Sequence, residues 1–157
     1  MTLSENPGTL KRFCRTQWRF QQTFCTPLKN LRPFVATIVS AIDSLESGCA
    51  TLDQVVFESK NLIALMKRHS LPVSHGRETA VTATGSPEVE ELLEAILGDW
   101  VDFLFVPTPK PFVIYADHDE YTTFYANTKS NLHLVVEPLL SKGFEAVKEY
   151  ERRFSAL

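Results

Sequence analysis

A stripe of apolar residues, recurring at steps of three and four positions, runs through residues 10–45. That spacing is typical of a helix with one buried face. Two prolines, Pro27 and Pro33, interrupt the stripe. Because a proline removes a backbone donor and crowds the preceding turn, both cannot lie comfortably inside one helix. The stripe therefore predicts two helices, over residues 9–24 and 33–47, with a short piece between them.

Two more helices are predicted in the first two thirds of the chain. Gly48 is placed to end the second helix, and Thr51 is placed to cap a third. Ser86 and Pro87, a cap followed by proline at the first helical position, begin a fourth. The small and polar residues 70–86 form the longest predicted loop, of about 15 residues, a length that is often mobile or functional.

The sequence changes character after Trp100. The runs VDFLFV, PFVIYA and YTTFYA are rich in β-branched and aromatic residues and predict short strands, although the first run also fits a continuation of the fourth helix. The last two runs flank residues 117–120 and predict a β-hairpin. A crossover helix follows and ends near Gly143. The tail, residues 144–154, predicts a returning strand that covers the open sheet edge, while its apolar spacing also fits a helix.

These elements predict an α+β fold in a single globular domain, residues 1–157. An N-terminal helical part of about four helices, residues 1–100, is expected to pack on a small, mostly antiparallel C-terminal sheet. Residues 101–157 supply the β-hairpin, one crossover helix and the terminal strand. A chain of 157 residues, 44% of them hydrophobic, is long enough to bury about two thirds of its unfolded surface.

Cysteine content and the N-terminal sequence favour a cytoplasmic protein. Cys14, Cys25 and Cys49 form no CxxC pair, which argues against a disulfide framework or a zinc knuckle and predicts reduced thiols. The first residues are polar and include Glu5, so no secretory signal is predicted. No apolar run approaches the ~18 residues that a membrane span requires. We therefore expect no association with a membrane.

Charge is distributed unevenly, although the net charge is only −3. Residues 1–35 contain six Lys and Arg against one Glu, a balance of +5, whereas residues 86–120 contain nine Asp and Glu against one Lys, a balance of −8. Such a distribution steers association with a partner of complementary charge. Glu88 and Glu91, in the predicted fourth helix, are therefore candidate partner-binding residues.

The loop of the predicted hairpin consists of four polar residues, Asp117, His118, Asp119 and Glu120. Carboxylates and imidazole bind Zn, Mn or Fe, and they also perform acid/base catalysis. A second such pair, His133 and Glu137, shares one face of the crossover helix. A strand of about six residues spans ~20 Å, which places that pair near the opposite end of the hairpin. We therefore predict no metal ion and no cofactor, and interpret the loop as a solvated turn or a partner-recognition site.

The segment LKRFCRTQWRFQQTF interleaves basic and aromatic residues. Its candidate partner-binding residues are Arg12, Arg15, Trp18 and Arg19. In composition the segment resembles a nucleic-acid site, where cations meet phosphates and rings stack on bases. Two other interpretations stay open: internal packing against the acidic fourth helix, and binding of a protein.

No nucleophile elbow, phosphate-binding loop or zinc-protease motif occurs in the sequence. His75 has Ser, Arg and Glu neighbours, which the composition of a loop explains without catalysis. His69 is expected to complement the dipole of the third helix at its C-terminus. No catalytic residue is therefore assigned, which favours a protein that is not an enzyme.

The sequence as a whole favours a non-enzymatic intracellular protein-binding or regulatory domain, such as an adaptor, an inhibitor or an immunity-type protein. Its partner is expected to be another protein, bound through the charge-polarised surface. One alternative is a metal-dependent or acid/base enzyme centred on residues 117–120. A second alternative is a nucleic-acid-binding protein that uses the basic and aromatic N-terminal segment.

Overall fold

The chain forms an antiparallel sheet of eight strands in the computed structural model, which describes residues 1–74, 76–150 and 154. In chain order the strands are β1 (Thr2–Glu5), β2 (Phe20–Cys25), β3 (Ser47–Gln54), β4 (Thr79–Thr84), β5 (Asp102–Thr108), β6 (Val113–Ala116), β7 (Tyr121–Ala126) and β8 (Ala146–Val147). Across the sheet they lie in the order β1-β4-β3-β5-β6-β7-β2-β8. Strands that are distant in sequence, such as β2 and β7, are therefore neighbours in the sheet.

Helices in the connections cover both faces of this sheet. They are α1 (Thr9–Arg15), α2 (Leu31–Ser40), α3 (Lys60–Arg68), α4 (Gly85–Gly98) and α5 (Lys129–Ser141), with a 3₁₀ turn at Leu28–Asn30. Helices α2 to α5 enclose the main core on one face, whereas α1 covers part of the other face. No helix in the described part of the chain is long and apolar enough to cross a membrane.

Residues of β6 and β7 alternate between the two faces of the sheet, so both faces carry apolar side chains that are buried. Ile114 and Phe124 lie in the main core. Tyr115 and Tyr125 belong to a second apolar cluster on the opposite face, where they contact Phe13 of α1. Because successive strand residues point to opposite faces, the same two strands contribute to both clusters.

The predicted division into a helical N-terminal part and a small C-terminal sheet is wrong. Strands β1 to β4 all lie within residues 1–84, so half of the strands of the sheet come from the part that was expected to be mainly helical. The structure is an α+β fold in which the sheet dominates. Short apolar segments fit a helical or an extended period about equally well, and pairing between distant strands decides between them.

The first error lies in the predicted helix over residues 9–24. Helix α1 ends at Arg15, and Phe20–Cys25 form β2, which pairs with β7. The hydroxyl groups of Thr23 and Thr123 share a hydrogen bond of 2.8 Å between these two strands. Cross-strand pairing of this kind stabilises a strand that the local sequence does not specify by itself.

The second error concerns the junction of the predicted second and third helices. Ser47–Gln54 form β3, between β4 and β5, and helix α3 begins only at Lys60. Gly48 does not end a helix. It lies so close to the ring of Phe105 that a Cβ atom there would clash with the ring. The glycine is therefore required by packing within the sheet.

The third error is the long loop predicted over residues 70–86. Thr79–Thr84 within it form β4, and helix α4 begins at Gly85. The predicted hairpin and crossover helix are confirmed as β6, β7 and α5. The tail also returns as a strand, but β8 contains only Ala146–Val147, paired with β2; residues 151–153 of the predicted strand lie outside the described residues.

Candidate functional site

A cleft of about 750 Å³ opens where three connections of the fold meet. The β3–α3 connection and the start of α3 contribute side chains between Phe57 and Asn61. The end of α4 contributes residues 98–100, and the turn between β6 and β7 contributes residues 118–120. We call this cleft the tip cleft, because the tip of the central hairpin forms one of its walls.

Helix α4 ends at Gly98, and Trp100, two residues later, adopts the left-handed conformation at φ 54°. The N–H of Trp100 donates to Leu97 O at 3.2 Å. The N–H of Val101 donates to Ile96 O, also at 3.2 Å. These two bonds form a Schellman ending, in which glycine usually occupies the left-handed position. A tryptophan at this position adds backbone strain and places a large aromatic ring in the wall of the tip cleft.

The turn between β6 and β7 is built around Asp117. Its Oδ1 accepts hydrogen bonds from the backbone N–H groups of Asp119, at 2.9 Å, and Tyr121, at 3.2 Å. Aspartate favours turns because its short side chain satisfies backbone donors in this way. The turn leaves Glu120 in the left-handed conformation, at φ 67°.

Trp100 and Glu120, two of the six residues other than glycine with a left-handed φ in the described part of the chain, contact each other in the tip cleft. Trp100 Nε1 donates a hydrogen bond to Glu120 Oε1 at 3.3 Å. Strained backbone at residues other than glycine persists only where the surrounding structure enforces it, and it clusters at functional sites. The meeting of Trp100 and Glu120 therefore marks the tip cleft as the candidate functional site.

Asp102, at the start of β5, fixes the position of His118. Its Oδ1 accepts the backbone N–H of His118 at 2.7 Å and lies 2.8 Å from the ring Nδ1. This hydrogen bond raises the pKa of His118 above its ordinary value; burial opposes the shift, and the charges of Asp102, Asp119 and Asp117 add to it. Because Nδ1 is held by the buried Asp102, Nε2 is the nitrogen through which His118 can exchange a proton with a bound molecule.

Asp99 caps helix α3 from outside that helix. Its Oδ2 accepts the N–H of Leu62 at 2.8 Å, and its Oδ1 accepts the N–H of Asn61 at 3.2 Å. Burial raises the pKa of Asp99 above its ordinary value, although both backbone hydrogen bonds oppose the shift. A carboxylate of the protein itself therefore occupies the positive end of α3, which borders the tip cleft.

Two exposed aromatic rings lie side by side in the tip cleft. Phe57 is 53% exposed and Trp100 is 37% exposed, and their ring centroids are 5.9 Å apart in an edge-to-face arrangement. Exposed carboxylates surround them: Glu58, which is 3.7 Å from the ammonium group of Lys60, and Asp119. The tip cleft thus combines an apolar centre with an acidic rim.

The structure brings three of the four predicted hairpin residues into the tip cleft. His118, Asp119 and Glu120 line it, whereas Asp117 is buried and holds the turn. Among the residues that the structure describes, no group of three or more His, Cys, Asp or Glu side chains is arranged to hold a metal ion. His133 and Glu137 lie 3.5 Å apart and line a different groove along α5.

Glu88 and Glu91, the other predicted acidic residues, are engaged within the molecule. Glu88 accepts the backbone N–H of Thr84 at 2.8 Å and lies 3.2 Å from the N-terminal amine. Glu91 contacts Arg68 and His69. The hydrogen bond from Thr84 lowers the pKa of Glu88, and the bond from Arg68 lowers that of Glu91. Both carboxylates therefore already contact groups of the protein itself and help to hold α4 in place.

The basic and aromatic segment divides between α1, the following connection and β2. Phe13 is buried, and Trp18 packs on it with ring centroids 6.0 Å apart. The side chains of Arg12, Arg15 and Arg19 are exposed. The rings that would meet bases under the nucleic-acid alternative, Phe13 and Trp18, therefore lie against the protein, while the cations face outward.

The remaining residues considered in the sequence are two histidines and the three cysteines. His69 follows the last turn of α3 and its Nε2 lies 3.0 Å from Glu91 Oε2. All three cysteines are half-buried, and burial raises the pKa of the Cys25 thiol. His75 lies outside the described residues.

Sequence reasoning missed Phe57, Glu58, Asp99 and Trp100, which line the tip cleft, and Asp102, which holds His118. Phe57 falls within the span of the predicted third helix and was not singled out, whereas it lies in the connection between β3 and α3. The sequence GDW at the end of α4 gave no signal of the left-handed Trp100, because a helix can also end in extended backbone, as α1 does at Thr16. The Asp102–His118 contact depends on the pairing of β5 with β6, which the sequence does not show.

Comparisons of the chain with protein-family models, with curated proteins and with solved structures found no match. The function is therefore inferred from the geometry of the tip cleft. Its distinctive features are two exposed rings, two strained residues in contact and a surrounding rim of carboxylates.

Proposed function

We propose that this chain is a non-enzymatic protein-binding domain and that the tip cleft is its binding surface. The observation that supports the proposal is the exposed pair of Phe57 and Trp100 within a concave site. Large aromatic side chains near the centre of an interface contribute most of the binding free energy in many protein complexes, and tryptophan is enriched among them. A partner that packs on this pair of rings would remove their exposed apolar surface from water.

The backbone at Trp100 is the second line of support. A glycine at the end of α4 would form the same Schellman ending without strain, yet this chain has a tryptophan there. A residue in a left-handed conformation costs about 1–2 kcal/mol relative to glycine. A binding role for the ring accounts for a residue that lowers the stability of the fold.

The acidic rim gives the surface its specificity. Glu58, Asp119 and Glu120 come from two different connections and surround the same cleft. Complementary charge at the rim of an interface raises the association rate and excludes partners of like charge. A partner segment with basic residues would therefore associate faster than a neutral one.

Acid/base catalysis centred on His118 is a second candidate function, because Asp102 holds the ring Nδ1 at 2.8 Å. A carboxylate in that position fixes the tautomer and orientation of the imidazole, so that Nε2 can accept a proton from a bound molecule. Replacing His118→Gln separates the two functions. Catalysis requires the imidazole, whereas protein binding through Phe57 and Trp100 does not.

A photo-crosslinking experiment tests the proposed function. The amino acid p-benzoylphenylalanine is introduced at position 57 and, in a control protein, at position 134 in place of Leu134, an exposed residue of α5. We expect crosslinking to one discrete protein in a lysate of the source cells at position 57 only, and we expect excess wild-type protein to suppress it. Excess Trp100→Asn protein should not suppress it, since asparagine tolerates the left-handed backbone but lacks the ring. Equal products at both positions, or equal suppression by both competitors, would overturn the proposal.

A further inference from the structure

We infer that the tip cleft binds an arginine side chain of the partner protein. This inference rests on the proposed function and names the chemistry that the cleft recognises. Its physical basis is the combination of carboxylates, exposed rings and an occupied helix terminus in one concavity.

The charges that line the tip cleft favour a cation. In the described part of the chain, Glu58, Asp119 and Glu120 line it together with the ammonium group of Lys60, which lies 3.7 Å from Glu58. His118 also lines it, and the charge of a protonated imidazole there is balanced by the buried Asp102. Asp99 adds a fourth carboxylate but is engaged by backbone donors. A cation placed among the three remaining carboxylates would gain attraction from each, while an anion would be repelled by each.

The start of α3 does not offer a site for an anion. Helix N-termini usually bind phosphate or carboxylate groups through their unpaired N–H groups. Here the N–H groups of Asn61 and Leu62 already donate to Asp99. A phosphate group would have to displace a buried carboxylate of the protein, so the tip cleft does not suit a nucleic-acid backbone.

The exposed rings favour arginine over a compact cation. A guanidinium group is planar, stacks on aromatic faces and can donate two parallel hydrogen bonds to one carboxylate. Phe57 and Trp100 provide the rings, and Asp119 and Glu120 provide carboxylates on the neighbouring turn. Lysine offers a more strongly hydrated point charge and matches only the charge of the site.

The test is a titration of the ¹⁵N-labelled full chain, followed by NMR, with three amino-acid derivatives and separately with inorganic phosphate. The derivatives are the Nα-acetyl amides of arginine, lysine and citrulline, citrulline being the uncharged analogue of arginine. The reporter is the indole N–H signal of Trp100, and the indole of Trp18, which packs on Phe13 and Tyr125 in the second apolar cluster, is the internal control. The Trp18→Phe variant assigns the two signals.

We expect the arginine derivative to shift the Trp100 signal saturably and to leave the Trp18 signal in place. The lysine derivative should bind several-fold more weakly, and the citrulline derivative at least tenfold more weakly. The double variant Glu58→Gln and Asp119→Asn should weaken arginine binding about tenfold, because it removes two of the three carboxylates. Raising the salt concentration should also weaken it, since exposed charges are screened.

Three results would overturn the inference: equal shifts with arginine and citrulline derivatives, equal shifts of both indole signals, or a larger Trp100 shift with inorganic phosphate than with the arginine derivative. The experiment also separates this inference from the proposed function. Arginine binding without a crosslinked protein would keep an arginine site in the tip cleft but remove the proposed function and, with it, the partner protein as the source of the arginine. A specific crosslinked protein without arginine binding would keep the proposed function and overturn the inference.

Discussion

Asp102 holds His118 by two contacts to a single oxygen, the backbone N–H at 2.7 Å and the ring Nδ1 at 2.8 Å. This arrangement ties the tip of the central hairpin to the start of β5. Since β5 begins two residues after Trp100, the same contact sets the distance between the hairpin turn and the end of α4. The shape of the tip cleft therefore depends on one buried carboxylate.

We expect the Asp102→Asn variant to lower the pKa of His118 toward its ordinary value of about 6.5, because it removes the hydrogen bond and the charge that raise it. An NMR titration of the His118 ring protons measures this pKa. Asp119→Asn should lower it less, since Asp119 lies 3.9 Å from the ring and is exposed. An equal or larger effect of Asp119→Asn would contradict the assignment of Asp102 as the main cause of the raised pKa of His118.

The same contact predicts how stability depends on pH. Because the folded state binds the proton of His118 more tightly than the unfolded state does, the contribution is fully present below the unfolded pKa of about 6.5 and is lost as pH rises through the raised pKa. Urea unfolding of wild type and His118→Gln across this range measures it. The difference in the free energy of unfolding should shrink with rising pH, and a constant difference would refute the prediction.

The left-handed conformation of Glu120 predicts an unusual order of stabilities. The Glu120→Gly variant should be more stable than Glu120→Ala by about 1 kcal/mol, because only glycine adopts φ 67° without strain. Both variants lose the hydrogen bond from Trp100 Nε1, so their comparison isolates the backbone effect. Chemical denaturation gives the two values. If the alanine variant is as stable as the glycine variant, the turn does not have the conformation described.

Asp99 is expected to stabilise α3 through its two backbone contacts. Asp99→Ala should lower the free energy of unfolding by about 1–3 kcal/mol, because the N–H of the buried Leu62 loses its acceptor, and the N–H of Asn61 loses it as well. Asp99→Asn keeps one acceptor oxygen and should cost less. Thermal unfolding monitored by circular dichroism ranks the variants, and an alanine variant as stable as wild type would exclude the capping role.

The pH dependence of the Asp99 contribution has the same sign as that of His118. Burial raises its folded pKa, so its contribution is fully present below the unfolded value of about 3.9 and declines as pH rises through the raised pKa. Stability measured relative to Asp99→Asn should therefore fall as pH rises through this acidic range. A relative stability that increases with pH would show that the hydrogen bonds outweigh burial.

The ring of Phe105 packs so closely on Gly48 that adding one methyl group at position 48 should lower the stability of the fold. Gly48→Ala should lower the free energy of unfolding by about 1–3 kcal/mol, because the added Cβ clashes with a fully buried ring. Gly76→Ala is the matched control, since a Cβ there lies 3.7 Å from its nearest neighbour, Thr79. Denaturant unfolding of both variants tests this, and similar values would show that Phe105 has room to move.

Local sequence was sufficient to predict the hairpin and the crossover helix. In β6 and β7 the alternating residues, the β-branched side chains and the turn-forming Asp117 all favour the same structure. Strand β3 lacked such agreement, because Ser47–Gln54 contains small residues, a glycine and a threonine that also fit a helix end. Its conformation is set by pairing with β4 and β5, which lie 25 or more residues later.

The candidate site was predictable only in part for the same reason. The polar residues of the hairpin turn were found from composition, but their neighbours Phe57, Trp100 and Asp102 come from other connections. These segments meet because β3, β5 and β6 are adjacent in the sheet. Without the strand order, the tip could not be placed beside exposed rings, and its charge could not be related to a cleft.

The most direct measurement for the central claim is the affinity of the partner identified by crosslinking, determined by isothermal titration calorimetry with wild type, Trp100→Asn and Leu134→Asn. We predict that Trp100→Asn raises the dissociation constant at least about tenfold, which corresponds to the ~1.4 kcal/mol or more expected for a central aromatic residue. Leu134→Asn should change it less than about twofold, because α5 lies outside the tip cleft. An unchanged dissociation constant for Trp100→Asn, or equal losses for both variants, would contradict the account.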